Sequence, residues 1–434
     1  MSLHLFSSSH LIDINKKKTS NYSQPFTYEP KYVYIPITSS SNELLNDLLQ
    51  VGTKVKKGTV IGKQKEDNFP YYSSISGIIK EVVEMPLSDF TFRKCYKIEN
   101  DYLSEWDLDK KLVSVDSYSK GDIYNFLKNS GLVERCDSFL PIYKKFEPEY
   151  NLDTLIINAT EFNPYSRSEN TYTESLFEFV YFALPYIKKL SGVKKTYIFV
   201  THSQKELINK IELTKKEYNN INLELKIIED LYPINDRNLA RIFFKKQYKA
   251  ISQEVGLVTI SLYSMEMIGR YFFEGKKADL AYYNIEGEIN NPCSVISPFG
   301  VLASNLVNII GQGTKIDEDK LLYVESNPVG GFVHANLNYL MLINSSGIYA
   351  NNKVERKESR CIKCGKCVNY CPSDLHPHEI YFNDRNNNFE KLKKLNVIKC
   401  NGCGVCSYIC PSNIDLSSIC YKAKLNLRNK DEHR

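Results

Sequence analysis

The sequence has no hydrophobic run long enough to cross a lipid bilayer. Its longest apolar stretch, Ser175–Ile187, is shorter than the span of about 18 residues that a membrane helix needs, and Glu178 and Pro185 interrupt it. The first residues, MSLHLFSSSHLIDINKKK, also lack a basic segment followed by an apolar core. No secretory signal peptide is therefore expected, and we expect a cytoplasmic protein without a transmembrane segment.

The sequence also lacks a basic tract. Its 56 lysine and arginine residues exceed its 51 acidic residues by only five, and the lysines are spread along the chain. Nucleic acid is therefore not an expected partner. The chain has 434 residues, of which 42% are hydrophobic and 25% charged. That composition is typical of a globular protein, and the length suggests about two to four domains.

Cysteine, by contrast, is concentrated in one place. Eight of the 12 cysteines lie between residues 361 and 410, in two copies of the spacing C-x2-C-x2-C-x3-C followed by proline. An intracellular protein keeps thiols reduced, so these cysteines are expected to bind metal. The spacing is that of bacterial two-cluster ferredoxins, in which the fourth cysteine of each run ligates the other [4Fe–4S] cluster. The expected ligand sets are Cys361, Cys364, Cys367 and Cys410 for one cluster, and Cys400, Cys403, Cys406 and Cys371 for the other.

Zinc and disulfides are the alternatives for these cysteines. Zinc sites usually combine paired C-x2-C knuckles, two plus two, whereas here four cysteines and a proline follow one another twice. The neighbouring His376 and His378 are interpreted as surface or capping residues, because eight thiolates already complete both clusters. The isolated Cys95, Cys293 and Cys420 are expected to be small buried apolar residues.

Residues 25–100 are predicted to form a barrel-sandwich domain of the lipoyl type, because short β-branched segments alternate with glycine turns. A carrier domain would bear a modified lysine on the hairpin between its halves. Lys63 and Lys65 are available there, but the sequence context of a carrier is missing. We therefore interpret the barrel as structural, with a carrier as the alternative.

Residues 115–275 are predicted to form a Rossmann-like α/β domain, because strand-like and helix-like segments alternate. The expected helices include Ser203–Asn220, with Ser203 as its cap. Ligands of parallel sheets lie at the carboxyl ends of the strands. A β-grasp domain is expected at 278–345 and a ferredoxin-type helical domain at 355–425, with a polar linker at 346–360. The predicted strands are Leu152–Thr160, Lys194–His202, Leu223–Asp230 and Val255–Ser261.

This domain order resembles the RnfC family, the peripheral subunits of ion-translocating Rnf complexes that move electrons between NADH and ferredoxin. The motifs that carry the resemblance are VGTKVKKGTVIG, LDTLIINATEFNPY, EVGLVTIS, EGEINNP and the two cysteine runs. The resemblance implies a multidomain α+β and α/β protein. Its α/β domain is related to the FMN- and NADH-binding subunit of complex I, and its β-grasp domain is SLBB-like. Soluble relatives include a proline-reductase-associated electron-transfer protein.

The sequence departs from the family where a flavin or dinucleotide would bind. The family has a glycine-rich loop, near G-I-V-G-L-G-G-A-x-F-P, where this chain has SGLVERCDSFLPIYKKF. Gly131 and Pro141 match, but Glu134, Cys136 and Asp137 replace the inner glycines. Two carboxylates at a phosphate position would repel the phosphate. Both glycines of a second motif are missing in LYPINDRN, and in the strand-end motif Glu161 is kept whereas Asn163 replaces a glutamate.

The resemblance implies an electron-transfer subunit of an oxidoreductase, which carries electrons through two [4Fe–4S] clusters to or from a partner redox protein. Direct use of FMN and NADH is expected to be weakened or lost, and Glu161 is a remnant of that site. An active NADH-oxidising RnfC protein with FMN is one alternative, and a docking module with structural clusters is another. The partners would be other Rnf-type membrane subunits, placing the chain at the cytoplasmic membrane face, or a soluble reductase.

Overall fold

A computed structural model describes most of the chain. It covers residues 12–13, 25–39, 41–134, 140–160, 164, 177–218, 222–234, 239, 253, 256–326, 328–353 and 357–432. Within these ranges, none of the helices combines the length and the apolarity that a membrane span requires. Two short strands, β1 (Ile12–Asp13) and β2 (Phe26–Thr27), come first and pair with strands much later in the sequence.

The predicted barrel sandwich follows. Four antiparallel strands pair in the order β3-β8-β7-β4, and β5 pairs with β6. Alternate residues of these strands, among them Val33, Ile35 and Ile79, are buried. Lys63 ends β5 and lies 3.5 Å from Asp47. The strands are β3 (Tyr32–Pro36), β4 (Lys54–Val55), β5 (Val60–Lys63), β6 (Pro70–Tyr72), β7 (Gly77–Pro86) and β8 (Phe92–Asn100).

The predicted parallel sheet is present. Its four strands lie side by side in the order β11-β10-β9-β13, and all run in the same direction. Continuous apolar runs form these strands because helices cover the sheet. The strands are β9 (Thr154–Asn158), β10 (Lys195–Thr201), β11 (Glu224–Ile228) and β13 (Leu257–Ser261), with the two-residue β12 (Leu231–Tyr232) paired to β1. The helices are α1 (Lys120–Asn129), α2 (Glu178–Ser191), α3 (Lys205–Glu217) and α4 (Leu262–Glu274).

The start of α3 differs from the sequence expectation. The capping residue is Gln204, not Ser203, and its side chain makes no bond within the helix. The Ser203 hydroxyl instead donates to Asp230 at 2.7 Å, and the Gln204 amide donates to the Ala159 carbonyl at 2.6 Å. Contacts with the sheet edge therefore replace the local capping box. The predicted third helix, Arg237–Tyr248, lies outside the described residues apart from Leu239.

A six-stranded sheet contains the predicted β-grasp segment. Its order is β18-β17-β20-β14-β15-β2. The expected linker at 346–360 is partly wrong, because residues 347–352 form β20 between β14 and β17. The strands are β14 (Leu280–Gly287), β15 (Cys293–Pro298), β17 (Leu321–Glu325), β18 (Phe332–His334) and β20 (Gly347–Asn352), with a separate pair of β16 (Val301–Leu302) and β19 (Leu340–Met341). A short helix, α5 (Ala303–Asn305), continues as a π-helical turn at Leu306–Ile310.

The last part of the chain, residues 357–432, is helical where the structure describes it. Two helices of four residues each follow the second cysteine of their runs, and the longer helices pack around buried Ile380, Leu392 and Leu427. The helices are α6 (Lys366–Asn369), α7 (Pro377–Arg385), α8 (Phe389–Lys394), α9 (Val405–Tyr408) and α10 (Leu416–Glu432).

Three elements meet where this helical domain joins the rest of the chain. The Tyr232 hydroxyl, at the end of β12, donates to the Cys403 carbonyl at 2.6 Å. The turn between β17 and β18 brings Val329 and Gly330 against the backbone at Cys403 and Gly404. The second cysteine run is thereby held beside the parallel sheet.

Glu325, at the end of β17, provides a test of this part of the fold. Burial raises the pKa of its carboxyl group to about 7, although a hydrogen bond with Ser345 opposes the shift. The folded chain then binds this proton more tightly than the unfolded chain, so stability falls as pH rises from about 4.5 to about 7.

We expect Glu325→Gln to remove that loss, since glutamine cannot ionise. Relative to the wild type, the variant should gain up to about 3 kcal/mol at pH 8 and little at pH 4.5. Thermal unfolding at the two pH values measures the difference. A gap that is the same at both pH values would contradict the prediction.

Candidate functional site

The structure brings the eight clustered cysteines together as two groups of four. The first group, site 1, is a pocket between the start of the helical domain and the end of the second cysteine run. Its lining also includes Lys363, Lys366 and His378. Site 1 is open to solvent, because Cys364 is exposed and Ile362 beside it is 66% exposed. The cysteines of site 1 are Cys361, Cys364, Cys367 and Cys410.

The second group, site 2, is more enclosed. Its lining residues include no charged side chain. The backbone N–H of Leu375 donates to the Cys371 sulfur at 3.3 Å. Tyr232 and the turn at Val329 cover the side next to Cys403. The cysteines of site 2 are Cys371, Cys400, Cys403 and Cys406, together with Cys420.

Each group combines three cysteines of one run with the fourth cysteine of the other. Cys410 lies with the first run, and Cys371 lies with the second. This is the crossed arrangement that the ferredoxin spacing predicts, although the ligand sets themselves stay a prediction. In the described part of the chain, no three His, Cys, Asp or Glu side chains converge closely enough to hold a single metal ion. The donors are four separated thiols per pocket, a set that fits an iron–sulfur cube.

The glycines Gly365 and Gly404 occupy equivalent places in the two sites. Each precedes a four-residue helix in the left-handed region, with φ of +75° and +78°. An added Cβ would meet nothing within 4 Å at Gly365, but at Gly404 it would lie 1.7 Å from the Val329 carbonyl oxygen. Glycine is thus required at Gly404 by the conformation and by the contact with the neighbouring turn.

Burial disfavours the charged form of the thiols in site 2. It raises the pKa of Cys371 to about 11 and the pKa of Cys403 to about 12. Thiolates rather than thiols are the metal ligands, so these groups must lose protons when metal binds. The low polarity of site 2 therefore makes its folding and its metal loading interdependent.

Cys420 is a residue whose place the sequence did not reveal. It is buried, as expected for an isolated cysteine, but it lies on α10 against site 2 as a fifth thiol. Its distance of ten residues from the second run leaves no spacing signal. Cys95 and Cys293 are buried in other parts of the protein.

The two histidines differ in position. His376 is exposed, and its Nδ1 lies 2.8 Å from Glu379 at the start of α7. His378 lines site 1, where its Nδ1 lies 3.9 Å from the Cys367 sulfur. An imidazole N–H at this position can donate to a cysteine sulfur, a contact that tunes iron–sulfur sites.

The carboxyl edge of the parallel sheet holds a buried ion pair. Glu134 is 4% exposed, and its Oε2 lies 2.9 Å from the Lys145 Nζ. Lys145, itself 2% exposed, also donates to the Thr259 carbonyl at 2.7 Å. Thr259 belongs to β13, so the pair lies where ligands of parallel sheets usually bind.

The same carboxylate caps the helix that follows this strand. Glu134 Oε1 accepts from the Ser261 backbone N–H at 3.3 Å and from the Ser264 hydroxyl at 2.8 Å, at the first turn of α4. Burial opposes ionisation of Glu134, but Lys145 and these hydrogen bonds together hold its pKa below the usual value. A helix N-terminus attracts anions, and here the protein supplies the anion itself.

This geometry changes one sequence-based interpretation. The sequence predicts that Glu134 is an uncompensated charge that repels a phosphate, whereas its charge is neutralised by Lys145. Sequence reasoning does not single out Lys145, because its partner lies 11 residues away in an irregular loop. Four other expected features, Cys136, Asp137, Glu161 and Asn163, lie outside the described residues, as does the second half of LYPINDRN.

Comparisons with known proteins identify three matching family models. The RnfC barrel sandwich hybrid domain matches residues 11–102, the Nuo51 FMN-binding domain matches residues 127–259, and the 4Fe-4S dicluster domain matches residues 360–414. The matches follow one another in the same order as the barrel sandwich, the parallel sheet and the helical domain of the structure.

Several curated proteins, all of them the C components of ion-translocating complexes, are similar over most of the chain. The one from the proton-translocating ferredoxin:NAD(+) oxidoreductase complex of Clostridium ljungdahlii is 24% identical over 84% of this chain and 81% of its own length. Its Na(+)-translocating counterpart from Acetobacterium woodii is 25% identical over 88% of each chain. The corresponding protein from the ion-translocating oxidoreductase complex of Buchnera aphidicola is 24% identical over 81% of this chain and 75% of its own.

A solved structure is also similar. A chain of the NAD+-reducing [NiFe]-hydrogenase in the H2-reduced state aligns with 73% of this chain and 63% of its own, at 13% identity and a TM-score of 0.45.

The two equivalent glycines give a matched test of how site 2 is covered. Gly365→Ala should cost about 1–2 kcal/mol, the cost of a Cβ in the left-handed region. Gly404→Ala should cost about 1–3 kcal/mol more, because the Val329 turn must move. Thermal unfolding and limited proteolysis of the two variants measure the difference. Equal losses would show that the turn does not pack against site 2.

Proposed function

We propose that this chain, which its motifs and relatives identify as RnfC-like, is an iron–sulfur electron-transfer protein with two [4Fe–4S] clusters. The observation that carries the proposal is the division of eight cysteines into two four-thiol pockets, each drawn from both runs. A cluster in such a pocket exchanges single electrons. The chain supplies the position and surroundings of each cluster.

The proposed ligands follow from the pockets. Cys361, Cys364, Cys367 and Cys410 would hold one cluster, and Cys400, Cys403, Cys406 and Cys371 would hold the other. Cys420 is assigned no ligand role, because the ferredoxin spacing already provides four thiols for site 2. Its buried thiol would pack against the cluster.

We place the exchange with a partner redox protein at site 1. Site 1 has an exposed cysteine, whereas site 2 is covered by Tyr232 and the Val329 turn. The partner would be another Rnf-type subunit, with the chain peripheral at the cytoplasmic face of a membrane, or a soluble reductase. The relatives named as subunits of ion-translocating complexes support the first choice.

Direct use of FMN and NADH is not part of the proposal. The α/β domain belongs to the Nuo51 FMN-binding type, and this match favours an active NADH-oxidising subunit as the second candidate. However, the described residues at the sheet edge do not fit a flavin phosphate. The Glu134 carboxylate already takes the Lys145 ammonium and the N-terminus of α4. A third candidate, a docking module with structural clusters, requires clusters that do not cycle.

Anaerobic purification tests the proposal. We expect about eight irons per chain, no flavin, and reversible reduction of the clusters. Zinc in place of iron would overturn the assignment. Stoichiometric FMN with rapid bleaching by NADH would establish the second candidate, and clusters that resist reduction would establish the third.

Cys403→Ala and Cys420→Ala form a matched pair, since both remove a buried thiol from site 2. We expect Cys403→Ala to lose about four irons and one of the two spectroscopic signals. Cys420→Ala should keep about eight irons, with a loss of stability of about 1–2 kcal/mol from the cavity. Iron counting and spin quantification after reduction separate the two outcomes. Equal iron loss would make Cys420 a ligand.

The Glu134–Lys145 pair predicts a rescue experiment. Glu134→Ala leaves a buried ammonium group unpaired and should cost about 3–5 kcal/mol. Because the variant frees an anion site, inorganic phosphate at millimolar concentration should raise its melting temperature. Neither phosphate nor FMN should stabilise the wild type.

Asp279→Ala is the control for this rescue. Asp279 is also a buried carboxylate, paired with Lys57 at 3.3 Å and Arg270 at 3.1 Å, but it does not cap a helix. Phosphate should leave its melting temperature unchanged. Equal rescue of both variants would mean a non-specific salt effect.

A further inference from the structure

We propose that the rim of site 1 is a docking face for a small acidic electron-carrier protein; this inference rests on the proposed function. The rim is defined by four exposed cations and one exposed apolar side chain around the open thiol pocket: Lys357, Arg360, Ile362, Lys363 and Lys366.

The charge of this rim is one-sided. Between residues 357 and 366 there are four cations and a single acid, Glu358. Glu358 faces away toward α7, where it accepts from the Tyr381 hydroxyl at 2.9 Å and from Arg385 at 3.4 Å. Within the described residues, none of the four cationic side chains forms an ion pair. Their positive charge is therefore available to a partner.

The backbone that carries these cations is anchored. Ser412 donates to the Arg360 carbonyl at 3.0 Å, and the Ser359 backbone N–H donates to the Ser412 carbonyl at 2.9 Å. The rim is thus attached to the proline loop that follows Cys410, which itself lines site 1. Cations fixed beside a redox site can orient an incoming protein before contact.

The apolar member of the rim has a separate role. Ile362 is 66% exposed and lies between two cysteines of site 1. A protein surface that closes over Ile362 would exclude water from the shortest route to the exposed thiol of Cys364. An apolar centre with a charged rim is the usual anatomy of a transient protein interface.

Site 2 shows that the rim is not a general feature of the domain. Its lining contains no lysine or arginine, and its exposed side is occupied by this chain's own residues Tyr232 and Val329. If cations were needed only to balance the negative charge of a bound cluster, both sites would need them. The asymmetry therefore favours recognition of a partner at site 1.

Charge reversal outside the thiol pocket tests the proposal. Lys357→Glu/Arg360→Glu changes two rim residues that do not line site 1. The control, Lys391→Glu/Lys394→Glu, makes the same change of charge on α8, whose lysines line neither pocket. Both variants are purified anaerobically as the full chain, and their iron content is counted.

The probe is a fluorescently labelled acidic [2Fe–2S] ferredoxin, with basic cytochrome c as the opposite-charge comparison. We expect ferredoxin binding to weaken by about tenfold or more between 20 and 300 mM salt, since exposed charges are screened. The rim variant should lose about tenfold in affinity and in electron-transfer rate, whereas the α8 variant should change less than about threefold. Cytochrome c should bind the wild type weakly.

Three results would overturn the docking face. They are unchanged ferredoxin binding by the rim variant, an equal loss in the α8 variant, and tighter binding of cytochrome c than of ferredoxin. A fourth is a shift in the reduction potential of the rim variant with unchanged binding, which would assign the cations to the cluster instead. Failure of the proposed function looks different, because it appears as missing iron or absent redox cycling in the wild type.

Discussion

The helical domain depends on what its eight thiols bind. Two of its helices have only four residues, and its apolar clusters are small and include cysteines. Burial raises the pKa of several of these thiols, so without metal they are protonated and bind nothing. When metal replaces those protons, its binding free energy becomes folding free energy. Every later feature, from the covered site to the open rim, requires this domain to be folded.

The position of site 2 is decided by other parts of the chain. The Tyr232 hydroxyl reaches the Cys403 carbonyl, and the Val329 carbonyl approaches Gly404 so closely that a side chain there would clash. These contacts join the edge of the parallel sheet, the β17–β18 turn and the second cysteine run. One redox site is therefore enclosed by the protein, and the other faces solvent. A single direction of approach for a partner follows from this packing.

The sheet edge shows how a substitution can close a binding site without leaving a net charge. A glycine-rich loop can present backbone N–H groups to a phosphate. Here Glu134 enters that region and pairs with Lys145, while Ser261 and Ser264 complete its hydrogen bonds. A buried pair of this kind costs desolvation energy but is costly to break. The pair thus preserves the fold of an FMN-binding domain while competing with its ligand.

The cysteine spacing, the strand–helix alternation and the domain order could be predicted from the sequence, because each is a pattern between residues that are close along the chain. Several features could not. Residues 347–352 read as a polar linker because the partners that make them a strand, β14 and β17, are distant in sequence. The place of Cys420 beside site 2 and the pairing of Glu134 with Lys145 have no local signal. Whether a thiol is covered or exposed, and whether a charge is paired, was decided only by the tertiary structure, since both depend on which distant segments pack together.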